Sequence, residues 1–211
     1  GETPLIETTS GNAGSAFAWI GRELGYDCTV IIPPELPEAR IDDIRKYGAK
    51  IRFSERGKYV GGAAEELKRV LHQENKERKA RGLPKFWSPN HSQDIRSADA
   101  LESIANETLC ELQNHCVNLD YFIAAIGNGA SLLGPGQVIK EKSPQTRIIA
   151  WEPLASGTAY DMRYPGRYKS LCRIKPGTLK HEIFGTGVSD VDFPMLKQAI
   201  QGNGHPPVVD E

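Results

Sequence analysis

Hydrophobic residues along the chain switch repeatedly between the spacing of an α-helix and that of a β-strand. Apolar positions from Ala13 to Leu24 follow helical spacing, and Cys28 to Ile32 then forms an apolar run typical of a buried strand. A helix opened by Pro37 and a short strand at residues 50–53 repeat the same order. Strands that alternate with helices predict an α/β fold with a mainly parallel sheet.

The middle of the chain continues this alternation with longer helices. The spacing predicts a helix over residues 60–71 and one long helix over residues 95–112. Residues 73–85 between them carry charges of both signs, which is typical of a solvated helix end and loop. Because acidic residues interrupt the basic ones and no aromatic residues interleave, this stretch does not indicate nucleic-acid binding.

Two more strands are predicted in the second half of the chain. Residues 121–126 form a strand with no polar side, which is typical of a sheet covered on both faces, and residues 147–151 form the next strand. Beyond Glu152 the pattern weakens, and we expect loops rich in glycine and proline. In parallel sheets of this kind, ligands bind outside the carboxyl ends of the strands.

Composition narrows the class of protein. Hydrophobic residues make up 39% and charged residues 25% of the 211 residues, as in ordinary globular proteins, and the net charge is −1. This balance indicates neither a nucleic-acid nor a membrane partner, and no apolar run approaches the roughly 20 residues that span a bilayer. The four cysteines form no C-x-x-C pair, so we predict no metal site, and the cytoplasm is the expected location.

A loop rich in hydroxyl groups and glycine leads into the first helix. Residues 8–14 read Thr-Thr-Ser-Gly-Asn-Ala-Gly, and the helix begins directly behind them. A helix N-terminus offers unpaired N–H groups and a positive dipole end, so the loop is suited to a carboxylate or a phosphate. The alternative is an ordinary Ser/Asn helix cap with glycines for turning.

A second glycine loop joins the strand at residues 121–126 to a helix. Residues 127–131 read Gly-Asn-Gly-Ala-Ser. Backbone amides in such a loop can converge on an anion, and the hydroxyl of Ser131 adds one more donor, which favours a phosphate site. The alternative is a tight strand-to-helix turn without a ligand.

The second loop also invites comparison with a dinucleotide site. Gly127-x-Gly129 begins like the G-x-G-x-x-G fingerprint, and Glu152 ends the next strand, where a ribose-binding acid would lie. The sixth position of the fingerprint, however, is Leu132, and Gly134 is out of register. The fingerprint is thus matched only in part, and a nucleotide-binding oxidoreductase is kept as the leading alternative class.

Several motifs together resemble those of fold-type II pyridoxal-phosphate enzymes of the cysteine synthase and cystathionine β-synthase branch. Residues 9–14 resemble the T-S-G-N-T-G substrate loop, and residues 127–131 are similar to the G-T-G-G-T phosphate loop. Residues 149–153, Ile-Ala-Trp-Glu-Pro, resemble the V-x-V-E-P strand end, and residues 183–187, Ile-Phe-Gly-Thr-Gly, resemble the I-x-G-I-G loop. The matches occur in the order of the family over most of the chain.

The resemblance implies a fold and a division into domains. It implies the three-layer parallel-sheet α/β fold of the tryptophan synthase β-like type, with two subdomains, incomplete at both ends. Residues 1–88 would belong to the smaller subdomain that carries the substrate loop. Residues 89–211 would belong to the larger subdomain that carries the phosphate loop.

The resemblance also implies roles for individual residues. The substrate α-carboxylate would be bound by Thr9, Ser10, Gly11 and, where the family places a glutamine, Asn90. The cofactor, pyridoxal 5′-phosphate, would contact Asn12 through its 3′-hydroxyl and Gly185 along its open side. Its phosphate would be cradled by Gly127, Asn128, Gly129, Ala130 and Ser131.

The resemblance finally implies an activity, and the departures from the family motif limit it. The implied reaction is β-replacement or β-elimination on a small amino acid, catalysed by an enzyme that is a homodimer when intact. The Schiff-base lysine of the family belongs to an S-x-K-x-R motif upstream of the substrate loop, and no lysine of this sequence stands in such a motif. We therefore expect no catalytic lysine and no activity in these residues; the alternative is a non-catalytic fragment or paralogue.

Overall fold

The structure is a computed structural model that describes residues 2–9, 11–172, 183, 185–187 and 192–211. Two compact units make up the chain, Gly1–Asn90 and His91–Glu211. Each unit contains parallel strands and helices, which confirms the α/β class that the alternating pattern predicts. Within the described ranges, no helix is both long and apolar enough to cross a membrane.

The first unit is built on a three-stranded parallel sheet. Its strands, in spatial order, are β1 (Leu5–Thr8), β2 (Cys28–Ile32) and β3 (Lys50–Phe53). The register pairs Leu5 with Cys28. The hydrophobic pattern does not predict β1, because four residues that include Glu7 are too few to show a period. Since all pairs are parallel, the carboxyl ends of the three strands lie at one edge of the sheet.

Helices follow each strand of the first unit. They are α1 (Asn12–Glu23), α2 (Glu38–Arg45), α3 (Tyr59–Arg69) and α4 (Asn75–Ala80), with a π-helical turn (Val70–Glu74) between the last two. The helix predicted over residues 60–71 therefore continues through the π-helical turn. The charged stretch at residues 73–85 is a helix end followed by a loop, as predicted.

Both faces of this sheet are covered by helices. Val30 and Ile32 are fully buried and pack with residues of α1 and α2, whereas Ile31 between them packs with residues of α3. Successive side chains of a strand point to opposite faces, so one run of apolar residues supplies two cores. The first unit thus has three layers, which explains why β2 has no polar side.

The second unit contains two parallel strands, β4 (Tyr121–Ala125) and β5 (Arg147–Trp151). The backbone of Asp210 and Glu211 extends along β5 and hydrogen-bonds to it. The helices of the described residues are α5 (Arg96–Asp99), α6 (Glu102–Asn114), α7 (Ala130–Lys142), α8 (Thr158–Arg163), α9 (Arg167–Cys172) and α10 (Pro194–Gln201). Helix α7 lies at the centre of the core, with Leu132, Leu133 and Ile139 fully buried.

The structure corrects two predictions about helices. The long helix predicted over residues 95–112 is divided, because the chain turns at Ala100–Leu101 and the amide of Leu101 bonds back to the Ala98 carbonyl at 2.9 Å. Helix α7 passes this turn so closely that a Cβ atom on Gly134 would collide with the Ala98 carbonyl oxygen. Helices α8, α9 and α10 lie where loops are predicted. The sequence does not predict them, because six to eight residues are too few to establish a helical period.

The burial of β4 also differs from the prediction. Tyr121 and Ile123 are 55% and 63% exposed, while Phe122 between them packs against the core of the second unit. The expectation that this strand is covered on both faces is therefore wrong for the described residues. An apolar run indicates only that neither side is polar, and it does not reveal what covers each side.

Candidate functional site

The predicted substrate loop follows directly from the carboxyl end of β1. The backbone amide of Thr9 donates to the Ile31 carbonyl at 3.1 Å, which fixes the start of the loop to β2. The Thr9 hydroxyl oxygen accepts a hydrogen bond from the amide of Gly11 at 3.1 Å, and Thr9 is buried. The Thr9 side chain therefore shapes the turn. Ser10, the other predicted hydroxyl ligand, lies outside the described residues.

The N-terminus of α1 leaves backbone donors open at this loop. Gly11 caps the 12-residue helix without a side-chain hydrogen bond, and Gly14 bonds to the Gly11 carbonyl at 3.1 Å. Among the residues that the structure describes, the amides of Asn12 and Ala13 donate to no acceptor. Open amides at a helix N-terminus suit a carboxylate, as the sequence predicts.

Asn90 is brought to the same sheet edge by a segment that runs beside β1. Leu5 forms a parallel bridge with Trp87. The Ser88 hydroxyl then contacts the buried carboxylate of Glu7 at 3.5 Å and accepts from the Asn90 amide at 3.0 Å. Since β1 and this segment run in the same direction, Asn90 lies level with the end of β1, where the substrate loop begins. Asn90 adopts a left-handed backbone with φ of 50°.

The side chain of Asn12 has a partner that the sequence analysis did not assign. Its Oδ1 atom accepts a hydrogen bond from Nη1 of Arg40 at 2.5 Å. Arg40 lies on α2, 28 residues further along the chain. The substrate loop itself contains no ionisable side chain. Arg40 therefore brings a positive charge to the loop, in addition to the positive dipole end of α1.

The second glycine loop forms an open set of amide donors at the start of α7. Gly129 has φ of 93°, and a Cβ atom there would collide with the backbone of Leu196. In the described part of the chain, the amides of Gly127, Asn128, Gly129 and Ser131 donate to no acceptor. These donors precede a 13-residue helix, so the loop fits the phosphate of the implied cofactor.

The side chain of Asn128 turns back onto the loop. Its Oδ1 atom accepts from the amide of Ala130 at 3.1 Å, and its Nδ2 atom donates to the His91 carbonyl at 3.4 Å. The Ala130 amide is thereby committed within the protein. Of the predicted phosphate residues, Ala130 thus offers no free backbone donor, whereas its four predicted companions do.

Gly185 lies next to the first glycine of this loop. A Cβ atom on Gly127 would come within 3.1 Å of the Gly185 carbonyl oxygen. The amide of Gly187 also bonds to the Ile126 carbonyl at 2.7 Å. The structure therefore brings Gly185, which the resemblance places along the cofactor, to the entrance of the phosphate loop.

Glu152 has a structural role that the sequence analysis missed. Its carboxylate accepts hydrogen bonds from the amides of Thr158 at 3.1 Å and Tyr160 at 2.7 Å. It therefore caps the N-terminus of α8. A carboxylate committed in this way is a poor partner for a ribose hydroxyl, which argues against the dinucleotide interpretation. The capping role of Glu152 could have been predicted only by first predicting that α8 begins at Thr158.

Comparison with known proteins identifies the family. The pyridoxal-phosphate dependent enzyme family matches residues 1–201 of the chain. The chain belongs to this family. Its cofactor, pyridoxal 5′-phosphate, is thus as predicted, and the tryptophan synthase β-like fold class is confirmed by the solved structures of the same fold.

Individual relatives place the chain beside cysteine synthases. It is 29% identical to a cysteine synthase of a Flavobacterium species over 153 residues, which cover 72% of the chain and 46% of that protein. It is 26% identical to a cysteine synthase of Staphylococcus aureus over 206 residues, which cover 95% of the chain and 63% of that protein. The chain thus spans about half to two thirds of the length of these relatives.

Solved structures of similar fold include another cysteine synthase and a hydrogen sulfide-producing enzyme. A cysteine synthase from Entamoeba histolytica is 26% identical with a TM-score of 0.64, over 88% of this chain and 48% of that one. A hydrogen sulfide-producing enzyme from Fusobacterium nucleatum is 27% identical with a TM-score of 0.65, over 92% of this chain and 52% of that one.

Proposed function

We propose that the protein is a pyridoxal-phosphate enzyme of the cysteine synthase type, which catalyses β-replacement or β-elimination on a small amino acid. The observation that carries the proposal is the set of open amides from Gly127 to Ser131 at the start of α7. These amides, with the Ser131 hydroxyl, are called the phosphate cup below. Membership of the family supplies the cofactor whose phosphate the cup would hold. The relatives named cysteine synthase supply the reaction type.

Each loop would perform a separate task. The amides of Gly127, Asn128, Gly129 and Ser131, with the Ser131 hydroxyl, would hold the cofactor phosphate. The open amides of α1 and the loop from Thr9, with Asn90 beside it, would hold the substrate α-carboxylate. A carboxylate held by fixed donors keeps the α-carbon in one orientation, which is what proton removal at that carbon requires.

The chemistry of bond cleavage would come from the cofactor. When bound, pyridoxal phosphate supplies an electron sink for the electrons left behind by a departing α-proton. The protein would contribute orientation and charge: the N-terminus of α7 stabilises the phosphate, and that of α1 stabilises the carboxylate. The Thr-Ser-Gly-Asn form of the substrate loop favours a β-replacing enzyme over a dehydratase.

We also propose that the 211-residue polypeptide lacks the lysine that holds the cofactor covalently, and is inactive alone. The proposal rests on the lysines whose surroundings are described. Lys46 pairs with Asp43 at 2.8 Å, and Lys140 pairs with Asp210 at 2.6 Å. Neither lies in a loop that would bind the cofactor. A homodimer of the intact enzyme and a cytoplasmic location remain predictions.

A binding experiment separates this proposal from the oxidoreductase alternative. The polypeptide is titrated in a calorimeter with pyridoxal 5′-phosphate, with pyridoxal, and with NAD. We expect weak binding of pyridoxal 5′-phosphate, competition by inorganic phosphate, and no binding of pyridoxal, since the phosphate makes the main contacts. Binding of NAD in preference to pyridoxal 5′-phosphate would reject the proposal.

A serine pair provides the matched control. Ser131→Ala removes one hydroxyl donor from the cup, and we expect the affinity for pyridoxal 5′-phosphate to fall roughly three- to tenfold. Ser170→Ala removes an exposed hydroxyl that bonds only to the Gly166 carbonyl in the described structure, and it should leave the affinity unchanged. Equal effects of the two substitutions would place the phosphate elsewhere.

The substrate loop is tested separately by NMR. L-Serine is added to ¹⁵N-labelled protein, and the amide signals of Gly11, Asn12 and Ala13 are followed. We expect these signals to shift together with that of Asn90, because all lie at the carboxyl end of β1. Shifts confined to other parts of the chain would remove the assignment of this loop to the substrate.

A further inference from the structure

We propose that Arg40 is a positioning residue that fixes the orientation of the Asn12 side-chain amide. In this orientation the NH₂ group of Asn12, and not its oxygen, is presented to a bound ligand. The proposal rests on the proposed function, in which the ligand atom is the ring 3′-oxygen of pyridoxal 5′-phosphate. It names a residue of α2 as a determinant of that contact.

The chemistry of the two side chains decides the orientation. A guanidinium has five N–H donors and no acceptor, so the Asn12 atom that contacts Arg40 at 2.5 Å must be the oxygen. The oxygen and nitrogen of an asparagine amide are otherwise assigned from their partners alone, and here the partner allows one assignment. Within the described residues, the Nδ2 atom of Asn12 donates to no acceptor. The donor end of the amide is therefore the end available to a ligand.

Arg40 is also distinguished from the other arginine of α2. Arg45 pairs with Glu38 at 2.7 Å and with Asp42 at 3.1 Å, both on the same helix. Arg40 forms no ion pair within the described ranges, and its hydrogen bond there is the one to Asn12. A hydrogen bond from Lys46 and, to a smaller extent, the charge of Arg40 lower the pKa of Asp43 on the same helix, but within the described ranges no carboxylate competes with Asn12 for the hydrogen bonds of Arg40.

Packing holds Arg40 and Asn12 at a fixed separation. Ile41 and Ile44 of α2 are buried, at 3% and 1% exposure. A Cβ atom on Gly14 of α1 would lie 3.0 Å from Ile44, so the two helices are in close contact two residues beyond Asn12. The pair thus rests on two helices that pack against each other, and the amide is held in place before any ligand binds.

This arrangement predicts selectivity for a ligand with an acceptor oxygen at the position of the 3′-hydroxyl. The guanidinium polarises the amide, which strengthens the Nδ2–H donor, and hydrogen bonds in such chains reinforce each other. An anionic ring oxygen gains from both the donor and the nearby positive charge. A ring without that oxygen gains from neither.

The first test compares two cofactor analogues on three variants of the 211-residue chain. Arg40→Met keeps the apolar stem and removes the donors, Arg40→Lys keeps a donor, and Arg45→Met is the control on the same helix. We expect Arg40→Met to weaken pyridoxal 5′-phosphate binding roughly three- to tenfold and to leave 3-deoxypyridoxal 5′-phosphate unaffected. Arg40→Lys should restore most of the loss, and Arg45→Met should change neither ligand. Equal losses for both analogues, or none, would overturn the proposal.

The second test needs no ligand and separates this inference from the proposed function. The side-chain NH₂ signals of Asn12 are measured by ¹⁵N NMR in the unliganded protein. We expect an ordered NH₂ group in the wild type and in Arg45→Met, and a mobile one in Arg40→Met. An NH₂ group equally mobile in all three proteins would refute the role of Arg40. If the wild type binds neither analogue, the proposed cofactor site fails, and this measurement alone decides the inference.

Discussion

The side-chain oxygen of Asn128 accepts a hydrogen bond from the backbone amide of Ala130 at 3.1 Å. This contact closes the turn between β4 and α7 and commits one amide that the resemblance assigns to the phosphate. The family motif has threonine at this position. The asparagine therefore acts as a structural cap, while the neighbouring glycine amides keep the free donors.

Replacing Asn128 with alanine should separate folding from anion binding. We expect Asn128→Ala to lower the free energy of unfolding by about 1 kcal/mol, since a helix-capping contact is lost. The affinity for inorganic phosphate should not fall, because the released Ala130 amide becomes a new donor. Urea denaturation and phosphate titration measure the two effects.

The control for this substitution is Asn106→Ala on the exposed surface of α6. Asn106 accepts from Lys142 and donates to the Glu102 carbonyl, and its loss should change the free energy of unfolding by less than about 0.5 kcal/mol. A large loss of phosphate affinity in Asn128→Ala with unchanged stability would mean that the side chain itself binds the anion.

Gly129 should be intolerant of any side chain. Its φ of 93° is unfavourable for other residues, and a Cβ atom would collide with the backbone of Leu196. We expect Gly129→Ala to destabilise the second unit by roughly 2–4 kcal/mol and to abolish phosphate binding. Gly61→Ala on α3 is the matched control, because a Cβ there meets nothing within 4 Å, and it should stabilise slightly. A Gly129→Ala protein as stable as the wild type would disprove this account of the turn.

The positions of the two glycine loops in front of helices were predictable from local sequence. Contacts between residues far apart in the sequence were not. The strand, glycine turn and helix around residues 127–131 are adjacent in the sequence, so a local pattern indicates all three. By contrast, Arg40 reaches Asn12 across 28 residues, and no pattern in either segment indicates the pair. The role of Glu152 depended on α8, a six-residue helix without a detectable period. Contacts of this kind depend on packing, which the hydrophobic pattern does not encode.

The burial predicted for an apolar strand is correct only where helices cover both faces of that strand. The apolar residues of β2 and of β4 look alike in sequence, yet Ile31 is fully buried and Ile123 is 63% exposed. Helices cover both faces of β2, whereas one face of β4 is exposed in the described structure. The sequence of a strand specifies its polarity, and the covering elements decide its burial.

A four-residue ion-pair network in the first unit should make stability depend on pH. Glu66 and Glu74 each contact both Arg52 and Arg69, at distances of 2.6 to 2.8 Å. Hydrogen bonds from the arginines lower the pKa of both carboxyl groups. A lowered pKa in the folded state means that the contribution to stability is present above the unfolded value of about 4.3 and disappears as the pH falls through the folded value.

Removing one carboxylate should reduce this pH dependence. We expect Glu74→Gln to lower the free energy of unfolding at pH 7 by about 1 kcal/mol, with allowance for partial solvent screening. Its difference from the wild type should shrink as the pH falls below about 4. Glu65→Gln, which affects an exposed pair with Lys58, should change stability by less than about 0.5 kcal/mol. Thermal unfolding from pH 3 to pH 7 measures this, and a constant difference across that range would contradict the prediction.

No single lysine of the 211-residue polypeptide should become quantitatively attached to the cofactor. An amine must lose its proton to attack an aldehyde, and hydrogen bonds with Asp43 and Glu55 raise the pKa of Lys46 and of Lys58 respectively. Both lysines are therefore deprotonated less readily than an ordinary lysine, which disfavours either of them as a single anchor. We expect borohydride treatment with pyridoxal 5′-phosphate, followed by peptide mass spectrometry, to give low labelling spread over several lysines. An unrelated protein with exposed lysines, treated in parallel, sets the background. Stoichiometric labelling of one lysine, lost when that lysine is replaced by arginine, would mean that these residues carry their own anchor for the cofactor.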